Sequence, residues 1–232
     1  MYSRRAFVVS TALSLTAAGG AQAQDACAVF TPERQRATTP QDALRMLQEG
    51  NARFVSGKMI NCDLRKQVQA TAHGQAPFAA LVGCIDSRVP PELVFDQQLG
   101  SIFAARIAGN FVNTDILGSL EYSCKVVGAK AIVVLGHSDC GAIKSAIDQA
   151  KLGNITEMLT HIEPAVTATK FAGKRTSKDK KLVQAVADTN AQLTARMILS
   201  RSPILKEMAD KKEIVIAAAM HDIETGRVSF FT

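Results

Sequence analysis

Four short apolar runs constrain this chain more than anything else in it: "FAALVGC" at 78–84, "SIFAARIA" at 101–108, "KAIVVLG" at 130–136 and "EIVIAAAM" at 213–220. The first is a continuous apolar run bounded by Pro77 and a polar turn, the pattern of a strand buried on both faces. The other three read as further strands. Helical stretches fall between them, at about 114–127, 141–151 and 181–200. Strands alternating with helices require crossover connections, which build a mainly parallel sheet with helices on both sides. The terminal "HDIETGRVSFF" holds a Thr-Gly turn between two β-prone pieces and reads as a closing hairpin or edge strand. The expected fold is α/β, a mainly parallel four-stranded sheet plus a fifth edge strand.

Ahead of the first strand, "TTPQDALRMLQEGNARFVSG" sets Thr39 and Pro40 in helix-starting positions and reads as one or two helices. No repeat or low-complexity linker interrupts residues 40–232, so one domain is expected there, with 24–39 as an N-terminal extension. At 232 residues, 47% hydrophobic and 21% charged, the chain has the size and composition of a globular domain with a full core. Its net charge is +6, of which two units come from Arg4 and Arg5 in an acid-free first 23 residues. The remainder is too mild for a nucleic-acid footprint. The densest basic run, "KFAGKRTSKDKK" at 170–181, reads as a solvated loop or helix end.

In an open parallel sheet, function gathers beyond the carboxyl ends of the strands. Two motifs sit there, "CIDSR" after the first strand and "GHSDCG" after the third. Two adjacent parallel strands would deliver Cys84, His137 and Cys140 to one point. Two thiolates and an imidazole suit Zn²⁺, and three protein ligands leave a fourth position for water. A Cys84–Cys140 disulfide is the competing arrangement. Asp86 would either close the site by taking the fourth place, or be held back by a bidentate Arg88 to accept a hydrogen bond from water.

These residues carry a resemblance. "CIDSRVPPE", "GSLEY", "VVLGHSDCGA" and the terminal "DIETG" are similar to β-class carbonic anhydrases, from about Ala43 to the C-terminus. The resemblance implies a zinc enzyme that interconverts CO2 and bicarbonate by a zinc-hydroxide mechanism, as a dimer or a multiple of dimers. It implies Cys84, His137 and Cys140 as zinc ligands and Asp86 with Arg88 as a catalytic dyad. Gln75 matches a substrate-contacting glutamine supplied across the dimer interface. Phe103 and Tyr122 match residues lining an apolar CO2 pocket, to which Ala108 is added as a candidate. Gly141 follows the last ligand as in the family. Ile107, in "RIAGN", departs from a commoner asparagine. In some relatives the matching aspartate swings onto zinc, stabilised by bicarbonate at a site that includes a tryptophan. This chain has no tryptophan, so an open site is expected. Two other readings stay open here: hydrolysis of a CO2 analogue such as carbon disulfide or carbonyl sulfide, and zinc binding without turnover.

The start of the chain reads as a cleavable export signal. "MYSRRAF" is a basic start, "AFVVSTALSLTAA" an apolar core and "AQA" a small-residue cleavage site ending at Ala23. The core is shorter than the roughly 20 residues of a membrane span, so no stable anchor is expected. "SRRAFV" resembles the twin-arginine motif, with Val9 where lysine is common. The expected location is periplasmic or secreted. There Cys27 and Cys62 are candidates to pair, while Cys124 reads as a small buried thiol. The double variant Arg4→Lys/Arg5→Lys should leave the full-length protein in the cytoplasm on cell fractionation; undiminished periplasmic accumulation would remove the twin-arginine reading.

Overall fold

A computed structural model describes residues 27–231. The expected signal, residues 1–23, and the first residues of the extension lie outside these. The sheet contains β1 (Ala79–Gly83), β2 (Ile102–Arg106), β3 (Ala131–His137), β4 (Val215–His221) and β5 (Val228–Phe230). Their spatial order is β2-β1-β3-β4-β5. The first four run parallel and β5 pairs antiparallel with β4, as the sequence pattern predicts.

The central strands β1 and β3 are buried at every residue, which is why their sequences are apolar without alternation. On one face Ala80, Val82, Ile132 and Val134 pack against helices that connect the later strands. The main contributor there is α9 (Lys180–Arg201), whose Leu182, Val186, Ala191 and Ile198 are buried. On the other face Ala79, Leu81, Val133 and Leu135 meet Ala43 and Leu47 of α2 (Pro40–Val55), together with Phe78 and Phe95. None of the helices among the described residues is long and apolar enough to cross a membrane.

The capping chemistry expected at Thr39 is present. Its hydroxyl accepts from the Asp42 N–H, the Asp42 carboxylate accepts in return, and Pro40 opens the helix. Gly50 does not break α2 into two. A side chain there would place a Cβ 1.8 Å from the Phe95 carbonyl oxygen, so glycine is what lets the helix lie against that loop. The N-terminal extension folds as well, with α1 (Pro32–Ala37) resting on the core. Phe30 packs against Phe78, the Gln35 side-chain amide donates to the Pro77 carbonyl at 2.7 Å, and Cys27 is disulfide-bonded to Cys62. The segment containing Cys62 leads into α3 (Leu64–Thr71).

The expected helix over 114–127 changes character part-way. α4 (Pro91–Val94) precedes β2, and α5 (Thr114–Glu121) runs into a wider turn over Tyr122–Val126, where the Val127 N–H reaches back to the Tyr122 carbonyl. The stretch expected to be helical over 141–151 ends sooner, as α6 (Gly141–Ile147). Several further helices lie outside the stretches that read as helical, among them α7 (Gly153–Thr160), α8 (Glu163–Ala168) and α10 (Pro203–Asp210). In the basic run the chain is irregular up to Asp179, which caps α9 by accepting from the Lys181 and Leu182 N–H groups.

Asn51 ties α2 to the Val94 segment and to the turn that enters β5. Its amide donates to the Val94 carbonyl at 3.0 Å and to the Gly226 carbonyl at 2.9 Å, and its oxygen accepts from the Val228 N–H at 2.8 Å. All three partners are backbone groups, and Asn51 is buried. Replacing it with alanine strands them together. Asn51→Ala should therefore cost about 2–4 kcal/mol, read as a lowered denaturant midpoint with the disulfide intact; an unchanged midpoint would contradict this account.

Candidate metal centre

Cys84 is the first residue beyond β1, and His137 is the last residue of β3. The parallel register sets Gly83 opposite Leu135, so the two strand ends are nearly level. A turn through Ser138 and Asp139 then brings Cys140 back to the same place, where it opens α6. Asp139 adopts a left-handed backbone, φ 58°, to make that turn tight. The two Sγ atoms and an imidazole nitrogen lie within 4.8 Å of one another, all three residues are buried, and both cysteines are free thiols. The structure thus departs from the alternative of a Cys84–Cys140 disulfide.

The donor set fits a zinc ion. His137 Nδ1 is 2.9 Å from the Ser138 carbonyl oxygen, which makes Nδ1 the protonated nitrogen and leaves the lone pair on Nε2. Nε2 is buried and has no hydrogen-bond partner. A buried acceptor beside two thiols is costly unless something binds it. The Cys84 thiol is held well below its ordinary range, first by hydrogen bonding from the Cys140 thiol and also by the N–H groups of Gly109 and Asp86. The Cys140 thiol is pushed up by the same contact and by burial. One sulfur is thereby prepared as a thiolate, the form a metal binds.

Asp86 and Arg88 are joined as expected. Arg88 Nε donates to Asp86 Oδ1 at 2.9 Å and Nη2 to Oδ2 at 2.7 Å, a bidentate fork, while the Arg88 N–H also reaches Oδ1 at 3.0 Å. This fork, with other nearby groups, holds the Asp86 carboxyl far below the usual carboxylate range. Oδ2 stands 3.8 Å from His137 Nε2, beside the cluster without being drawn from its arginine. Asp139 lies at the rim, ion-paired with Lys144 and 4.0 Å from Arg88.

Three features here have no local sequence signature. Arg106, at the end of β2, donates to the Cys84 carbonyl at 2.9 Å and to the Asp86 carbonyl at 2.7 Å, and so pins the backbone of the "CID" loop. The Gly109 N–H donates to Cys84 Sγ at 3.4 Å. His221 lies opposite His137 in the β3–β4 register, is buried, and has neither ring nitrogen hydrogen-bonded. Burial, first of all, lowers its pKa.

The residues expected to contact substrate divide. Gly141 follows Cys140 at the start of α6, and Ala108 lies in the loop beside Gly109. Phe103 and Tyr122 meet edge-on with ring centroids 6.5 Å apart. They line a groove of about 680 Å³ whose walls include Ala104 and Ile116, and no metal-cluster residue. Gln75 is exposed and lies ahead of β1, whereas Cys84 follows its far end. At about 3.3 Å per residue, that strand separates Gln75 from its own chain's cluster.

The carbonic anhydrase family model matches residues 79–228, from the first residue of β1 into β5. The chain belongs to the β-class carbonic anhydrases. It is 33% identical over 196 residues to carbonic anhydrase 2 of Mycobacterium tuberculosis, covering 82% of this chain and 92% of that protein. It is 34% identical over 197 residues to the carbonic anhydrase of Mycolicibacterium smegmatis, covering 82% and 93%. Among solved structures, the β-carbonic anhydrase CcaA shares the fold with a TM-score of 0.64 at 24% identity, over 82% of this chain and 91% of that one. The Coccomyxa β-carbonic anhydrase in complex with acetazolamide superposes with a TM-score of 0.65 at 24% identity, over 72% and 77%. β-Carbonic anhydrases are zinc lyases acting on CO2, and this chain is an enzyme of that class.

Removing one sulfur from the cluster tests its assignment. Cys84→Ser should lose stoichiometric zinc by elemental analysis while keeping its helical circular dichroism. Full zinc occupancy in that variant would contradict the site.

Proposed function

We propose that Cys84, His137 and Cys140 hold one Zn²⁺, and that Asp86 and Arg88 orient the nucleophile for reversible hydration of CO2. The observation that carries this reading is the Asp86–Arg88 fork: it keeps Oδ2 3.8 Å from His137 Nε2. A carboxylate so held is an acceptor beside the metal position rather than a ligand in it. When bound, zinc acts as a Lewis acid that makes hydroxide available from water near neutral pH.

The chain's own groups do the rest. Asp86 Oδ2 accepts a hydrogen bond from the attacking oxygen and so turns its remaining lone pair toward the carbon of CO2. Arg88 keeps the carboxylate ionised and in place. An O–C bond forms and one C=O π bond of CO2 shifts to oxygen, giving bicarbonate that keeps the attacking oxygen's proton; the other proton of the original water goes to water or buffer. Gln75 donates its amide to the developing bicarbonate. Because Gln75 and Cys84 lie at opposite ends of β1, this role requires a second copy of the chain. The unpaired outer edge of β2, the adjoining groove and the exposed Tyr122 support a homodimer built there. Phe103 and Tyr122 would then contribute to an apolar CO2 pocket completed at the interface, with Ala108 and Gly141 beside the metal. The β-carbonic anhydrases of Sordaria macrospora, of similar fold, are tetrameric.

Export is part of the proposal. The Cys27–Cys62 disulfide is of the kind that persists in oxidising compartments, which supports a periplasmic or secreted mature enzyme.

Stopped-flow CO2 hydration by the zinc-loaded protein tests the reading. Asp86→Asn should retain zinc and lose about 10²–10⁴-fold in kcat/KM. With no tryptophan in the chain and the fork intact, bicarbonate inhibition near pH 7.5 should be hyperbolic. Equal turnover by Asp86→Asn would overturn the dyad, turnover of carbonyl sulfide alone would overturn the substrate, and a steep inhibition curve would contradict the open site.

A further inference from the structure

An asparagine in the middle of a long helix, facing the core, calls for a reason. Asn190 lies in α9 and is 3% exposed. Asparagine is a poor helix former, and burying its amide costs free energy unless the amide is hydrogen-bonded. Its bond leaves the helix altogether: Nδ2 donates to the Gly109 carbonyl oxygen at 2.8 Å, across 81 positions of sequence.

Gly109 is held on three sides. Its carbonyl accepts from Asn190, and its N–H donates to Cys84 Sγ at 3.4 Å. Its third side faces Ile162, whose Cδ1 lies 2.4 Å from where a Cβ would stand. Gly109 has φ 85°, and Asn110 after it has φ 42°. Two successive left-handed residues, the second not glycine, form a backbone that persists only where its surroundings impose it. The flanking contacts are suited to that. Ile162 lies between α7 and α8 and is fully buried, and the neighbouring His161 stacks on Phe111 with ring centroids 4.4 Å apart.

We propose that Asn190 is a positioning residue for the metal centre: by anchoring the Gly109 carbonyl it keeps the Gly109 N–H on the sulfur of Cys84. This rests on the zinc reading above. The consequence is chemical as well as structural. A hydrogen bond to a thiolate withdraws electron density from the sulfur, so Cys84 donates less strongly to a bound metal and the metal stays more electrophilic. With two thiolates in the set, such damping matters more than it would among imidazoles. The N–H also fixes the direction of the sulfur lone pairs, a positioning gain that outweighs the weaker donation, since outer-shell contacts of this kind are worth about 10–100-fold in metal affinity.

The test uses the full mature enzyme. Asn190→Leu keeps the branching of the side chain and its number of heavy atoms while removing the donor; Thr194→Val, equally buried one turn further along α9, is the control. Zinc affinity is measured by chelator competition, and the sulfur-to-metal charge-transfer band is recorded after cobalt substitution. Asn190→Leu should bind zinc about tenfold or more weakly and shift that band to lower energy, while Thr194→Val changes neither. A folded Asn190→Leu with unchanged affinity and an unchanged band would overturn the proposal. Should that variant not fold, the wild-type protein loaded with cadmium-113 decides the matter. A scalar coupling between the Gly109 amide proton and the metal is expected through the N–H···S contact, with slow exchange of that amide. Absence of the coupling with rapid exchange would overturn it. Failure of the wild-type protein to bind zinc at all would instead overturn the zinc reading, which the same chelator titration reports separately.

Discussion

Everything at the site depends on the parallel register of β1 with β3. Gly83 opposite Leu135 brings the two strand ends level, and that alone places Cys84 against His137. A slip of two residues would keep every side chain on its face yet separate the ligands by about 6.6 Å. No such slip is available, because both faces of both strands are sealed. α9 and its neighbours cover one face, and α2 with Phe78 and Phe95 covers the other. The helices therefore set the geometry of a site to which most of them contribute no ligand.

The second requirement is electrostatic. Two buried sulfurs and an imidazole would be unstable company if all were charged or all were unpartnered. The chain distributes the load: the Cys84 sulfur receives the Gly109 N–H, the N–H groups of Ala142 and Ile143 at the start of α6 face Cys140, and the Ser138 carbonyl fixes the histidine tautomer. Arg88 meanwhile holds Asp86 in a bidentate fork, and Arg106 holds the loop on which Asp86 sits. Of the cluster's own donor atoms, His137 Nε2 is left without a partner, beside the two thiols.

Much of this was legible in the residues. The unbroken apolar runs in β1 and β3 announced buried parallel strands, and "CIDSR" with "GHSDCG" announced strand-end chemistry. The helix start at Thr39 and Pro40 was visible as well. Short helices such as α7 and α8 were not, because at 8 and 6 residues they are too brief to show a sustained apolar period. Asn51, Arg106 and Asn190 were also invisible: each acts on backbone atoms far away in sequence, and no spacing rule records such a bond. Gln75, Phe103 and Tyr122 were named through a family resemblance. A single chain shows why position alone would have missed them, since none of the three reaches its own cluster.

The central claim is that two sulfurs and one imidazole nitrogen of a single chain share a zinc ion while Asp86 stays with Arg88. X-ray absorption at the zinc edge of the purified enzyme near pH 7.5 measures this directly. The account predicts two sulfur neighbours at about 2.3 Å and two lighter atoms at about 2.0–2.1 Å, with a spectrum unchanged in Asp86→Asn. A shell of four sulfurs, one with no sulfur, or a light-atom shell that alters when Asp86 is replaced would contradict it.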